Sequence, residues 1–233
     1  WFYLHNIRAA HKSGCKVQMY GCGIGPVLRE EHRRLASNVL NACVDVITLR
    51  EPDSLKELQS MGVTKPEILL TADPALTLPA AGADEIDSVL LRAGIPPHGK
   101  YLCFALRNWK GFADKAPLFG QAAKYAYETY GLTPVFTAVE KHLDPGAGRL
   151  AAAGLDIPHY FLDDAGNAST IIGALSRMRV VVSMRLHALI FAAGQGVPLA
   201  GVVYDPKVSA FLRYIGQENF RALDTLTLGD LTA

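Results

Sequence analysis

The chain has 233 residues, half of them hydrophobic, enough to fill a core in one large domain or two smaller ones. Its 23 Lys and Arg stand against 22 Asp and Glu, a formal charge of +1, which gives no electrostatic reason for a nucleic-acid partner. No apolar run reaches the ~18 residues that span a bilayer, and Cys15, Cys22, Cys43 and Cys103 show neither a C-x-x-C pair nor zinc spacing, so they read as reduced structural thiols and no metal is expected.

The chain opens at Trp1 rather than Met, with no signal-peptide pattern, and 1–13 reads as a helix with Phe2, Leu4, Ile7 and Ala10 to bury; further sequence is expected to precede it. From there β-rich runs alternate with helical periodicity. Strands are predicted at 16–20, 44–49, 67–71, 101–106, 134–139, 180–183 and 199–204, most of them continuously apolar, as strands covered on both faces are. Helices are predicted at 28–42, 54–61, 86–93, 118–130, 170–177, 189–193 and 208–215, and Gly62, Gly94, Gly131 and Gly216 stand where a left-handed C-cap is wanted. The alternation predicts an α/β fold built on parallel sheets. A Pro- and Gly-rich stretch between 78 and 100 breaks the rhythm. It predicts a partial first domain over 1–79, a linker over 80–99 and a nearly complete second domain over 100–233, the two facing each other across a cleft.

Three runs are placed for chemistry. In VVVSMRLHALIFAAGQGVPLAGVVYDPKV at 180–208 a buried strand ends at Ser183, a short turn carries Arg185 and His187, and an Ala-rich helix follows at once. Ligands of open α/β sheets sit outside the carboxyl ends of strands, where helix N-termini turn N–H groups toward anions. On a regular helix Arg185 and His187 would point roughly 200° apart, so they converge only if the turn is extended before the helix begins. The plainer alternative pairs Arg185 with a carboxylate and leaves His187 capping the helix. In YLCFALRNWK at 101–110 an apolar strand ends on Arg107, a second planar fork for a carboxylate or phosphate, or else a surface Arg beside a packing Trp109. In MYGCGIGPV at 19–27, Gly21, Gly23 and Gly25 permit close backbone approach to a ligand, but a tight turn without a ligand explains them equally well. Arg50 and Asp73 fall at strand ends of the first domain, and Arg50 either faces the cleft or pairs with Glu51 or Asp53.

The order of the runs GCGIGP, ITLREPDSLKEL, TADPAL, ALRNWK and SMRLHALIFAAGQGVPLAGVVYDPKV resembles the polysaccharide pyruvyl transferases, over nearly the whole chain. The MRLHALIFA run followed by YDPKV is the specific part. The resemblance implies two Rossmann-like domains in a GT-B-like arrangement, the first N-terminally incomplete. It implies phosphoenolpyruvate as co-substrate, no resident cofactor, and a sugar or lipid-linked glycan as acceptor. Carried over by motif, Arg185, Leu186 and His187 correspond to the donor-binding run, and Arg107 to a second donor-binding arginine. His187 is then the general acid or base. Gly21, Gly23, Gly25, Arg50, Asp205 and Lys207 remain candidates for substrate contact. Cys22 stands where the family pattern has Gln.

The resemblance further implies action in the cytoplasm or at the inner face of the membrane, reached through the acceptor rather than through an integral segment. Two rivals come from other classes. One is a GT-B glycosyltransferase or sugar epimerase using a nucleotide-sugar, for which only Asp205 is placed to hold a ribose. The other is a glycan-binding protein without catalysis.

Overall fold

A computed structural model describes residues 2–233 and divides the chain into two compact units, Trp1–Pro74 and Ala75–Ala233. Residues 80–99, expected as a linker, lie inside the second unit.

The first unit holds helix α1 (Phe2–Lys12), strand β1 (Gln18–Cys22), α2 (Glu30–Cys43), β2 (Val46–Leu49), α3 (Pro52–Ser60) and β3 (Glu67–Leu70). The strands form a three-stranded parallel sheet in the order β1-β2-β3. Ile47 and Leu49 of β2, Leu40 of α2 and Leu58 of α3 close its core, with Leu4, Ile7 and Ala10 of α1 packed against it. Phe2, expected to bury, is instead exposed. Trp1 lies outside the described residues.

The second unit runs α4 (Ala83–Arg92), β4 (Tyr101–Ala105), α5 (Phe112–Tyr130), β5 (Thr133–Thr137), α6 (Pro145–Ala151), β6 (Tyr160–Leu162), α7 (Ala168–Ser176), β7 (Val180–Ser183), α8 (Leu186–Gly194), β8 (Leu199–Val203), α9 (Pro206–Tyr214), β9 (Phe220–Ala222) and α10 (Leu228–Thr232). A 3-10 turn, Pro74–Thr77, precedes them. Its six strands are parallel throughout, in the order β6-β5-β4-β7-β8-β9. The chain therefore winds from β4 outward to β6, crosses back, and winds from β7 outward to β9. That is the doubly wound α/β plan.

Why the strands read as unbroken apolar runs follows from the packing. Tyr101, Cys103 and Ala105 of β4 enter one core, shared with α4, α7, α8 and α9. Leu102, Phe104 and Leu106 alternate into the opposite core, with α5 and α6. A strand covered on both faces needs apolar side chains at every position. Burial pushes the Cys103 thiol up to about 12, so it is an inert core residue rather than a nucleophile.

Helix α8 is buried at Leu186 and at Ala188, Leu189, Ile190, Phe191 and Ala192, which explains why its sequence is apolar on nearly every side. Where Gly194 ends it, a Cβ would meet the Leu76 carbonyl oxygen at 2.8 Å. The four glycines expected as C-caps, Gly62, Gly94, Gly131 and Gly216, all take positive φ. Among the described residues no helix is long and apolar enough to cross a membrane.

Candidate functional site

The strand order reverses between β4 and β7, and ligand crevices of open α/β sheets form at such a reversal, outside the carboxyl ends of the strands. Ala105 and Ser183 are register partners across these two strands. Arg107 lies two residues beyond the first and Arg185 two beyond the second. Both guanidinium groups therefore leave the sheet at the reversal.

Arg185 is the N-cap of α8 with an extended backbone, φ −85° and ψ 118°. Ser183 sets that turn: its buried Oγ accepts from Arg185 N–H at 2.8 Å and lies 3.1 Å from the Ala105 carbonyl oxygen, tying β7 to β4. The extended turn that convergence requires is present at Arg185, while His187 already belongs to the first turn of α8. His187 is exposed, its ring 6.0 Å from Phe191. The Leu186 side chain goes into the core, so what it offers a ligand is its backbone N–H. Among the described residues no side chain caps the helix at Arg185, and the positive dipole end of α8 favours an anion there.

The plainer alternative for Arg185 is also part of the structure. Its Nε donates to Asp144 Oδ2 at 2.8 Å, and Asp144 is only 2 % exposed. The same oxygen accepts from the Val139 and Glu140 amides at 3.1 and 2.8 Å. Among the described residues the Nη groups of Arg185 make no hydrogen bond. An arginine anchored through Nε keeps its outer N–H edge for another anion.

Arg107 is held by aromatic rings instead. Its Cζ sits 5.1 Å from the Trp109 ring centre and 5.5 Å from that of Tyr204, and Nη1 donates to Tyr204 Oη at 3.1 Å. The two rings are 4.9 Å apart, with Trp109 42 % exposed. Such cation–π contacts contribute about 0.5–1 kcal/mol each at exposed sites and fix a direction without neutralising the charge. Asp205 is the N-cap of α9, accepting from Lys207 N–H at 3.1 Å, and Lys207 Nζ lies 3.5 Å from its other oxygen. A carboxylate occupied in this way is poorly free for a ribose. A cavity of about 470 Å³ opens beside it, lined by Trp109, Tyr204 and Asp224 among others.

In the first unit the glycine-rich turn is closed on itself. Gly21 N–H donates to Thr48 Oγ1 at 2.7 Å, Ile24 N–H to Ser54 Oγ at 2.6 Å and Val27 N–H to Glu57 Oε1 at 3.0 Å. These amides are already spent. Gly21 has φ 57°, and a Cβ there would land on the Pro74 ring; a Cβ on Gly23 would meet the Arg50 guanidinium at 3.0 Å, and one on Gly25 would meet Glu57. Arg50 donates to Asp73 at 2.9 Å, a partner the sequence left unassigned, while Glu51 caps α3 by accepting from the Asp53 and Ser54 amides. Burial raises the Cys22 thiol, with a backbone hydrogen bond and the nearby Arg50 pulling it back.

The structure thus gathers Arg107, Arg185, Leu186, His187, Asp205 and Lys207 along one edge of the second unit's sheet. Gly21, Gly23, Gly25 and Arg50 lie in the first unit. Sequence reasoning missed Asp144, Ser183 and Tyr204. Ser183, as the last residue of an apolar strand before the turn, and Tyr204, as the first residue of the YDPKV run, carried a local signal; Asp144 carried none. Among the described residues no cluster of His, Cys, Asp and Glu could hold a metal ion.

Comparison with known proteins bears on the family and the fold. The family model "Polysaccharide pyruvyl transferase" matches residues 1–206. None of the curated proteins matches the chain. Among solved structures, the UDP-GlcNAc 2-epimerase from Methanocaldococcus jannaschii is 10 % identical, with a TM-score of 0.65, over 98 % of this chain and 64 % of its own. The UDP-GlcNAc 2-epimerase from Neisseria meningitidis, bound to UDP-GlcNAc, is 11 % identical with a TM-score of 0.62, over 98 % and 63 %. A glycosyl transferase of family 9 from Veillonella parvula is 12 % identical with a TM-score of 0.54, over 94 % and 65 %. The chain spans less than two thirds of each of these structures. At such identity the likeness is one of fold, the Rossmann-like α/β fold of GT-B glycosyltransferases and epimerases.

Proposed function

The chain belongs to the polysaccharide pyruvyl transferase family, and on that premise we propose that it moves the pyruvyl group of phosphoenolpyruvate onto a sugar of a cell-wall or extracellular polysaccharide precursor, as a ketal. The observation that carries the reading is the pair of arginines leaving β4 and β7 in register at the strand-order reversal, next to the uncapped start of α8. A donor with a carboxylate and a phosphate needs two planar cationic forks and a dipole end.

The chemistry asks for a proton at carbon and for anions to be stabilised. A proton adds to the methylene carbon of phosphoenolpyruvate, one sugar hydroxyl adds to the cationic carbon and loses its proton, and the C–O bond to phosphate breaks. A second hydroxyl then closes the ketal and loses its proton, so one phosphate leaves for each ketal formed. His187, exposed in the first turn of α8, is the side chain able to give and take these protons near neutral pH. With a lipid-linked acceptor, the reaction would take place at the cytoplasmic face of a membrane.

The test is to supply phosphoenolpyruvate with candidate glycans, follow phosphate release and look for the pyruvyl mass increment by mass spectrometry. Stoichiometric phosphate and ketal are expected. Thermal stabilisation by a nucleotide-sugar with none by phosphoenolpyruvate would overturn the reading in favour of a nucleotide-sugar enzyme. Glycan binding without phosphate release would overturn it in favour of a non-catalytic binder.

A further inference from the structure

We propose that Asp144 is the positioning residue of the donor site, acting on the donor solely through Arg185; this rests on the donor reading above. Asp144 occupies the N-cap of α6, where an aspartate normally accepts from the helix's own first amides. It makes no such bond. Its side chain turns away and spends one oxygen on the Val139 and Glu140 amides and on Arg185 Nε. The other oxygen, Oδ1, is buried and has no hydrogen-bond partner among the described residues.

An aspartate that forgoes its cap and leaves an oxygen orphaned in a 2 % exposed position is costly in isolation, since buried charge is tolerated only when paired. The paired group is Arg185, and the arrangement gives that arginine one orientation. With Nε fixed, rotation about the last side-chain bonds is lost and the Nη edge is presented before any donor arrives, so less order must be imposed on binding. The carboxylate also joins the loop after β5 to the loop after β7, both at the carboxyl edge of the sheet.

Two effects of the carboxylate oppose each other, and their signs tell them apart. As a bare negative charge near an anion site, Asp144 would repel the donor, and neutralising it would tighten binding. As the holder of Arg185, its neutralisation loosens the guanidinium and weakens binding. The substitution Asp144→Asn keeps the shape and one acceptor oxygen while removing the charge that strengthens the bond to Nε.

The experiment measures phosphoenolpyruvate affinity by calorimetry for the wild type, Asp144→Asn, Arg185→Ala and the double variant, each first shown folded by circular dichroism. Asp144→Asn is expected to bind roughly tenfold more weakly, about the worth of one charge-assisted hydrogen bond. In the Arg185→Ala background the same change is expected to have an effect under about twofold, because coupled residues are non-additive. A merely structural aspartate would weaken binding in both backgrounds, and a purely repulsive one would tighten it in both. Either result overturns the proposal, as does unchanged affinity in Asp144→Asn. If Asp144→Asn does not fold, Asp144→Glu, which keeps the charge and displaces it by one methylene, must show the same loss and the same dependence on Arg185. A wild type that takes up no phosphoenolpyruvate overturns the donor reading and this inference together, whereas a binding wild type with an indifferent Asp144 overturns this inference alone.

Discussion

The turn that leaves β1 and the turn that leaves β7 both follow a parallel strand, and they treat their polar groups differently. After β1, the amides of Gly21, Ile24 and Val27 are taken up by Thr48, Ser54 and Glu57, and Arg50 is paired with Asp73. After β7, among the described residues, Ser183 holds a single amide, no side chain caps α8, and the Arg185 guanidinium is held through Nε. A turn whose donors are consumed internally holds the fold. A turn that leaves donors unspent is ready for a ligand. Glycine content alone points to the first turn, whereas the hydrogen-bond accounting points to the second.

Substitutions can break this contrast, beginning with the largest expected effect. His187→Ala should lower ketal turnover by about 10²–10⁴, the usual size of a general acid–base contribution, with an unchanged melting temperature. Steady-state kinetics with wild-type turnover in that variant would remove His187 from the chemistry. Arg107→Ala should weaken phosphoenolpyruvate binding by roughly 10- to 100-fold, equivalent to losing about 1.5–3 kcal/mol of charge-assisted contact. It is a cleaner probe than Arg185→Ala, because its neighbours Trp109 and Tyr204 are neutral, whereas removing Arg185 leaves the buried Asp144 carboxylate without its cation and should lower the melting temperature as well.

Gly21→Ala sharpens the other side. It combines a positive φ with a collision against Pro74, so a loss of about 1–3 kcal/mol in denaturant unfolding is expected, with donor affinity unaltered in the folded fraction. A Gly21→Ala protein of normal stability that binds donor poorly would reverse the roles assigned to the two turns. The smallest effect is expected for Asp205→Ala, about 1 kcal/mol from a lost helix cap, again visible in unfolding curves and not in donor titration.

Much of this was legible in the chain. The β4 and β7 runs are apolar at successive positions because both cores claim them, and the four capping glycines mark helix ends without ambiguity. Helix α5 was predicted to start at 118, after Pro117, yet it begins at Phe112 and runs through the proline. One lost ladder bond is outweighed there by the burial of Phe112, Ala116 and Phe119. Strands β6 and β9 have three residues each, too short for a period to show. Helix α6 carries Pro145, Gly146 and Gly148, which read as loop; Gly148 is needed there because a Cβ would press on Phe136 at 3.0 Å.

The candidate site was legible in part only. Arg107, Arg185 and His187 each end or follow an apolar strand, a pattern visible over a few residues. Their partners are not local. Asp144 stands 41 positions from Arg185, and Tyr204 stands 97 from Arg107. The neighbourhood of Asp144, with His142 and Pro145 beside it, carries no feature of its own. Such pairings exist only once β4, β5, β7 and β8 have been brought to the same sheet edge.

Helix α8 is enclosed by the sheet and its neighbouring helices along most of its length, from Ala188 to Ala192. Its amides should therefore be among the slowest in the molecule to exchange with deuterium, and its first turn should move little on any timescale short of global unfolding. The imidazole of His187 rides on that fixed post, so under the proposed chemistry substrates of different shape would be accommodated by the surrounding loops rather than by α8.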